Sequence, residues 1–268
     1  MKFRILRPLA AGGHGEVFLG QLIPTGQAVV IKYPRHPDQP DVRRRFAREV
    51  RILGRRVRGL VTLLGFDTDG DRPCYVMPFL QNGSIAQFRG RLSQGQLFAL
   101  AADVASALAG LHVEHIAHGD VKPDNALITD ERRVVLSDPL GNGWGCTVVF
   151  ADHHGGTPGY WAPEIRVGGA ISPAGDMYSY GVTLHELATG TRPTDGVVPD
   201  MTAIAHLDPR LREVVASCCS VAPGDRPSAN DIAALLRGES WNSIRESRTY
   251  RNLGLGIVAA IAMLILAE

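Results

Sequence analysis

One eight-residue stretch, His-Gly-Asp-Val-Lys-Pro-Asp-Asn at 118–125, places an acid, an amine and an amide close together. Two short β-rich runs follow it, and we predict a hairpin that returns Asp138 to the same loop. The carboxylates of Asp120 and Asp138 would then converge with Lys122 and Asn125. Such a set can orient an attacking hydroxyl, neutralise a phosphoryl group and bind Mg²⁺. The stretch favours phosphoryl transfer, and the alternative is a polar hairpin loop with ordinary turn residues.

The N-terminal part of the chain is predicted to begin with three short strands. They are expected at 3–9, 17–22 and 27–32, and the first turn contains Gly12, Gly13 and Gly15. Glycine has no Cβ, so backbone N–H groups in this turn can close on phosphate oxygens. Glycine-rich hairpins are also common as plain turns, so the surrounding sequence must decide between the two.

A helix is predicted over 41–58 from four apolar residues at helical spacing. They are Phe46, Val50, Leu53 and Val57. Glu49 lies near that buried face, and a buried carboxylate needs a partner. Eight arginines between 43 and 58 occupy the other faces. They form either a solvated basic surface or a docking face for an acidic partner or anionic lipid.

Apolar patterns predict the remaining core elements. An apolar strand is expected at 74–80, and helices are expected around 97–111 and 177–187. The first of these helices leads directly towards the 118–125 stretch.

Composition narrows the class of protein. The chain has 268 residues, of which 45% are hydrophobic and 21% charged, as in folded soluble proteins. A net charge of +1 gives no global reason to expect nucleic acid as a partner. Four cysteines lack metal-ligand or disulfide-scaffold spacing, so reduced thiols in a cytosol are expected. The N-terminus lacks the apolar core of a secretory signal.

The C-terminal tail has a different character. Residues 253–267 carry no charge, and Arg245, Arg248 and Arg251 precede them. A membrane span usually needs about 20 apolar residues, so this segment is short. It also lacks the polar face of a globular core helix. We predict a C-terminal membrane anchor with the rest of the chain on the cytoplasmic side, and the alternative is a helix docked on a partner.

Seven short motifs occur in a fixed order along the chain. They are AAGGHGEV at 10–17, VIK at 30–32, Glu49, the 118–125 stretch, GTPGYWAPE at 156–164, DMYSYG at 176–181 and DRPS at 225–228. In this order, over about residues 1–237, they resemble the protein kinase superfamily. The similarity is greatest to bacterial eukaryotic-like (Hanks-type) serine/threonine kinases. One motif alone would be weak, and seven in order are specific.

The resemblance implies an α+β, bilobal protein kinase fold. A small β-rich N-terminal lobe with one helix would span 1–80, and a larger, mainly helical C-terminal lobe would span 81–238. A basic linker at 239–252 and the apolar segment at 253–267 would follow. The implied activity is transfer of the γ-phosphate of ATP, with Mg²⁺, to Ser or Thr hydroxyls of protein substrates.

The resemblance also implies a role for individual residues. Asp120 would orient the substrate hydroxyl, and Lys122 would neutralise the moving phosphate. Lys32, supported by Glu49, would hold the phosphates of ATP. Further nucleotide contacts would come from the glycine-rich loop and the segment that contacts adenine: Gly12, Gly13, Gly15, Val17, Met77, Pro78 and Leu80. Asn125 and Asp138 would bind Mg²⁺.

Four more matches imply structural roles. Asp176 would hold the backbone of the catalytic loop, and Glu164 would form an ion pair with Arg226. Thr157 would touch both Asp120 and Lys122, as in serine/threonine kinases.

Gly119 departs from the family pattern, in which an arginine commonly precedes the aspartate. That arginine binds a phosphorylated activation segment, so its absence removes the usual charge-paired switch. We therefore predict activity that does not require activation-segment phosphorylation. His-Gly-Asp is also the usual form of the loop in small-molecule kinases of the aminoglycoside type, which leaves that class as an alternative.

The second departure is Asp138-Pro139-Leu140, where the family has Asp-Phe-Gly. Proline should push the preceding Asp138 towards an extended conformation. The substitution should also remove an aromatic contact to the helix that carries Glu49. The metal-binding carboxylate remains, so we expect an atypically regulated kinase, with a pseudokinase that binds nucleotide as the main alternative.

Overall fold

The computed structural model describes residues 1–12, 15–140, 156–194 and 197–244. Its N-terminal part is one antiparallel sheet of five strands in the order β1-β2-β3-β5-β4. The strands are β1 (Phe3–Gly12), β2 (Gly15–Leu22), β3 (Ala28–Tyr33), β4 (Gly65–Asp67) and β5 (Cys74–Pro78). The short β4 was not predicted, because three residues are too few to show an alternating pattern.

Helix α1 (Pro40–Gly54) buries Phe46, Val50 and Leu53. The prediction of a helix to residue 58 was wrong at its C-terminus. The helix ends at Gly54, and Arg56 takes a left-handed φ of 54° that a helix cannot accommodate. Val57 lies beyond the helix, where it still packs against the core and so continues the apolar spacing.

The C-terminal part is mainly helical. It contains α2 (Gln94–Val113), α3 (Pro163–Arg166), α4 (Pro173–Thr189), α5 (Pro209–Cys218) and α6 (Ala229–Leu236). Ser93 begins α2 with a capping box, and the Ser172 side chain caps α4. Helix α4 is buried along most of its length, so it forms the centre of this part.

Among the described residues, α2 is the one helix that is long and apolar enough to cross a membrane. Eight of its apolar side chains, among them Leu97, Val104, Leu108 and Leu111, are buried in the main hydrophobic core, and the helix packs against α4 and α6. Core helices of globular proteins can be equally long and apolar, so we assign α2 to the core.

A hairpin of β6 (Ala126–Ile128) and β7 (Val134–Leu136) follows α2, as predicted. The α+β, bilobal architecture is confirmed: a five-stranded sheet with one helix, then a mainly helical region. The boundaries proposed for the two lobes stay a prediction. The predicted linker lies mostly outside the described residues, and the predicted apolar anchor at 253–267 lies wholly outside them.

Candidate active site

Asp176 fixes the backbone of the 118–125 stretch. It lies in the first turn of α4 and its side chain is buried. The backbone N–H of His118 donates to Asp176 Oδ2 at 2.7 Å, and the N–H of Gly119 donates to Oδ1 at 2.8 Å. Charge-assisted bonds of this kind are short and strong. The loop backbone is thus fixed to α4, the central helix of the C-terminal part.

Four side chains lie close together in and beside this loop. They are Asp120, Lys122, Asn125 and Thr157, and we call them the loop cluster. Lys122 Nζ lies 2.7 Å from Asp120 Oδ2 and 2.6 Å from Thr157 Oγ1. Thr157 donates to Asp120 Oδ1 at 3.0 Å, and Asn125 Nδ2 donates to Asp120 Oδ2 at 2.8 Å. Both oxygens of the buried Asp120 carboxylate are therefore held in place, and its orientation is fixed.

A second group, which we call the lysine cluster, consists of Lys32, Glu49, Tyr75 and Asp138. Lys32 Nζ lies 2.7 Å from Glu49 Oε1 and 2.6 Å from Asp138 Oδ1. The Tyr75 hydroxyl lies 2.7 Å from Glu49 Oε1 and 3.2 Å from Asp138 Oδ1. Strands β3 and β5 pair Lys32 directly with Tyr75, which puts both side chains on the same face of the sheet.

Burial and charge act against each other in the lysine cluster. Burial raises the pKa of the Glu49 carboxyl to about 7, although the Lys32 ammonium opposes that rise. Burial alone would lower the pKa of Lys32, but Asp138 and Glu49 outweigh it and raise that pKa. Burial would likewise raise the pKa of Asp138, but the Lys32 ammonium holds it below its usual range. A charged lysine between two acids is thus the favoured state.

Asp138 does not adopt the extended conformation that we expected before a proline. Its φ is 57°, in the left-handed region. Two backbone bonds flank it: Ser137 N donates to Asn125 O at 2.9 Å, and Leu140 N donates to His118 O at 2.8 Å. These bonds and the ion pair with Lys32 outweigh the local preference that Pro139 imposes. The carboxylate consequently points towards Lys32.

One cavity has residues of both clusters in its walls. They are Lys32, Glu49 and Asp138 of the lysine cluster and Asp120 of the loop cluster, and Leu140 also lines it. A wider depression of about 950 Å³ adjoins the loop cluster, where Lys122, Asn125 and Thr157 form part of its wall. Spaces of this size are typical of ligand sites. Arg89 also lines this depression and forms ion pairs with Asp124 and Glu186, each at 2.6 Å.

The predicted glycine-rich loop is the turn between β1 and β2. Gly12 pairs with Gly15 at the β1–β2 turn, and Val17 pairs with Lys32 across β2 and β3. A Cβ on Gly15 would come within 2.3 Å of a backbone oxygen, so only glycine fits there. Gly13 lies outside the described residues.

The predicted adenine segment is the end of β5 and the turn after it. Met77 is buried opposite Val30, and Pro78 pairs with Val29 at the end of the sheet. The carbonyl of Leu80 accepts a bond from Gly83 N at 3.1 Å. Pro78 lacks an N–H but keeps its carbonyl as an acceptor.

The predicted Mg²⁺ ligands suit that ion chemically. Asp138 supplies carboxylate oxygens, and Asn125 uses its amide hydrogens on Asp120, which leaves its amide oxygen for a metal. In the part of the chain that the structure describes, no group of three or more His, Cys, Asp or Glu residues could hold a metal. Two protein ligands suffice for Mg²⁺, which commonly completes its shell with phosphate oxygens and water.

An ion pair secures the segment that follows Thr157. Arg226 binds Glu164 through both terminal nitrogens, at 2.7 and 2.8 Å. Its guanidinium is fully buried and also donates to the carbonyls of Ala174, Ser220 and Val221. The pairing of Glu164 with Arg226 follows the expectation from the sequence.

Tyr75 is the residue of the site that the sequence did not reveal. It is fully buried, and its ring stacks on Phe46 of α1 with centroids 5.5 Å apart. A tyrosine in an apolar strand reads as core, because its hydroxyl partners come from distant parts of the chain. Its place beside Lys32 follows from the register of β3 and β5, which the sequence does not show.

Comparison with known proteins gives consistent matches. A model of the protein kinase domain matches residues 3–235. The chain is 33% identical over 216 residues to the serine/threonine-protein kinase pkn2 of Myxococcus xanthus, covering 74% of this chain and 25% of that protein. It is 32% identical over 263 residues to the probable serine/threonine-protein kinase PkwA of Thermomonospora curvata, covering 89% and 35%. A lectin-domain containing receptor kinase of Arabidopsis thaliana, VI.3, is 31% identical over 280 residues, covering 88% and 40%. The chain therefore spans about a quarter to two fifths of the length of these relatives.

Proposed function

Because the chain belongs to the protein kinase family, we propose that it transfers the γ-phosphate of ATP to serine or threonine hydroxyls of proteins. The observation that carries the proposal is the bridge that Lys122 makes between Asp120 and Thr157. It puts a carboxylate, an ammonium and a hydroxyl at one point, beside a depression of about 950 Å³ that suits a polypeptide. The similarity to serine/threonine kinases supports the class of substrate.

Each group then has a chemical task. Asp120 orients the substrate hydroxyl and accepts its proton, and Lys122 offsets charge on the transferred phosphate. Lys32 holds the phosphates of ATP while Glu49 holds Lys32, and Asn125 and Asp138 are the residues that would hold Mg²⁺. When bound, Mg²⁺ supplies positive charge that neutralises the phosphate oxygens.

Transfer of radiolabelled phosphate from ATP to a generic basic protein tests this proposal. Asp120→Asn should lower the rate by about 10²–10⁴, because it removes the base but keeps the shape. Asp130→Asn, in an exposed turn of the β6–β7 hairpin, is the matched control and should keep wild-type activity. Equal rates for Asp120→Asn and wild type would overturn the assignment. A wild-type protein that binds ATP but transfers no phosphate would be a pseudokinase, the alternative that rests on the Asp138-Pro139-Leu140 sequence.

We also propose that activity does not need phosphorylation of the activation segment. Gly119 has a φ of 82°, and a Cβ there would lie 3.2 Å from Leu140 Cβ and 2.8 Å from Ile171 Cδ1. Gly119 offers no cation to a phosphate, and apolar side chains fill the space beside it. Leu140 packs against Gly119, which supports the idea that van der Waals contact positions the start of the activation segment, and not an ion pair with a phosphate.

Phosphatase treatment followed by the same transfer assay tests this independence. The treated protein should transfer phosphate at once, without a lag, and Thr147→Ala should behave like wild type. Thr147 lies outside the described residues, and Thr157 belongs to the loop cluster. An inactive dephosphorylated protein that recovers only after autophosphorylation would contradict the proposal.

The location of the protein at the inner face of a membrane is a further proposal, which rests on the sequence of 253–267. Fractionation of cells that express the full chain or a chain ending at Ile244 tests it. The full chain should need detergent for extraction, and the shortened chain should not. Recovery of the full chain without detergent would contradict the membrane anchor and favour a helix docked on a partner.

A further inference from the structure

Tyr75 is the unassigned member of the lysine cluster. Its ring is fully buried between the sheet and α1, where it stacks on Phe46 with an interplanar angle of 14°. Its hydroxyl reaches Glu49 Oε1 at 2.7 Å and Asp138 Oδ1 at 3.2 Å. A tyrosine that only filled space would not need to aim its polar atom between two carboxylates.

Counting donors shows what the hydroxyl contributes. A phenol has one hydrogen to donate, and the shorter distance assigns it to Glu49. Glu49 Oε1 then accepts from both Lys32 Nζ and Tyr75, while Asp138 Oδ1 accepts mainly from Lys32. A buried carboxylate that loses a donor is costly, so two donors make Glu49 less dependent on Lys32.

The proposed function makes this second donor important. If Lys32 donated a hydrogen bond to the phosphates of ATP and Asp138 held Mg²⁺, the contact between Lys32 and Asp138 would weaken. We propose that Tyr75 is a positioning residue that keeps Glu49, and through it Lys32, in place for nucleotide binding. This inference rests on the proposed use of Lys32 and Asp138 by ATP and Mg²⁺.

The ring of Tyr75 also links the cluster to α1. Pro139 stands where the kinase family has a phenylalanine that contacts this helix, and the Phe46–Tyr75 stack gives α1 a different aromatic contact. The hydroxyl and the ring thus act on the same helix, one at Glu49 and one at Phe46. Removing the hydroxyl alone separates the two contributions.

The test is a double-mutant cycle with Tyr75→Phe, which keeps the ring and the stack, and Glu49→Met. The dissociation constant of the ATP analogue AMP-PNP with Mg²⁺ is measured for all four proteins. Tyr75→Phe should raise it about tenfold in the wild-type background, the typical cost of a lost bond to a charged group. In the Glu49→Met background the same change should have an effect of about twofold or less, because Tyr75 acts through Glu49.

Tyr33→Phe on β3 is the matched control, since Tyr33 is buried in the same sheet but packs on Phe18, away from the cluster. It should leave the dissociation constant unchanged. In phosphate transfer, Tyr75→Phe should raise KM for ATP and leave KM for the protein substrate unchanged. The inference would be overturned if Tyr75→Phe raised the dissociation constant by the same factor in both Glu49 backgrounds, or did not change it in either.

The outcomes separate this inference from the proposed function. A wild-type protein that binds AMP-PNP but does not transfer phosphate would refute the kinase activity, and the binding cycle would still decide the role of Tyr75. A wild-type protein that does not bind the nucleotide would refute both.

Discussion

The loop cluster and the lysine cluster are built in opposite ways. Three of the four loop-cluster residues lie within 120–125, and Asp176 holds their backbone from the central helix. The lysine cluster takes one residue each from β3, α1, β5 and the segment after β7. The loop cluster is thus set largely by local chain geometry, and the lysine cluster depends on how distant elements pack.

This difference assigns different tasks to the two clusters. In the loop cluster both oxygens of Asp120 are already bound, so the group is prepared before a substrate arrives. In the lysine cluster the side chain of Asp138 is 35% exposed and its partner Lys32 is 4% exposed. The carboxylate is therefore open to solvent and to ligands on one side. We expect the loop cluster to serve transfer and the lysine cluster to serve nucleotide binding.

Of the variants that separate the two clusters by nucleotide affinity or stability, Lys32→Met should have the largest effect, because it removes the charge at the centre of the lysine cluster. Loss of one preorganised donor typically costs about 10²–10³ in rate. The carboxylates of Glu49 and Asp138 would also be left without their cation, and their uncompensated negative charge should weaken AMP-PNP binding in parallel. Transfer rate and nucleotide affinity are measured together, with Lys2→Met at an exposed site as the control. Wild-type nucleotide affinity in Lys32→Met would contradict the assignment of nucleotide binding to the lysine cluster.

Thr157→Val should have a smaller effect that is confined to the loop cluster. It removes the hydroxyl that joins Asp120 to Lys122 but keeps the shape of the side chain. The lost bonds to charged groups should lower transfer by about tenfold or more, and nucleotide affinity should stay at the wild-type level. Thr157→Ser keeps the hydroxyl and should retain most of the activity. A loss of nucleotide affinity in Thr157→Val would show that the clusters are coupled.

Gly119→Ala should have the smallest effect and should act mainly on stability. The new Cβ would lie 2.8 Å from Ile171 Cδ1, and the φ of 82° disfavours any side chain. Overpacking of this kind costs about 1–3 kcal/mol, which denaturant unfolding can measure. Adding Ile171→Val should restore part of the loss, because it relieves the contact but not the backbone strain. An unchanged free energy of unfolding would show that Leu140 and Ile171 do not pack tightly on Gly119.

Sequence reasoning anticipated the local features of the fold better than the long-range ones. The hairpin of β6 and β7 and the helices α2 and α4 follow directly from apolar spacing and turn residues. The end of α1 could not be predicted, because Val57 packs on the core from outside the helix and continues the apolar spacing. Strand β4 is too short to give a pattern.

In the candidate site the same limit applies. The motifs indicated Lys32 and Glu49 as partners, and their side chains lie 2.7 Å apart. The conformation of Asp138 was predicted wrongly, since the preference imposed by Pro139 is local and the bonds that override it come from Lys32 and the loop backbone. Tyr75 could not be found at all, because its role depends on strand register.

The most direct measurement is the titration of AMP-PNP into wild type, Asp120→Asn and Asp138→Asn, with and without Mg²⁺. Wild type and Asp120→Asn should bind the analogue with similar affinity, and Mg²⁺ should strengthen both. Asp138→Asn should bind without a gain from Mg²⁺, because the carboxylate that suits the ion is missing. Binding that ignores Mg²⁺ in wild type, or that is lost in Asp120→Asn, would contradict the assignment of nucleotide binding to one cluster and phosphate transfer to the other.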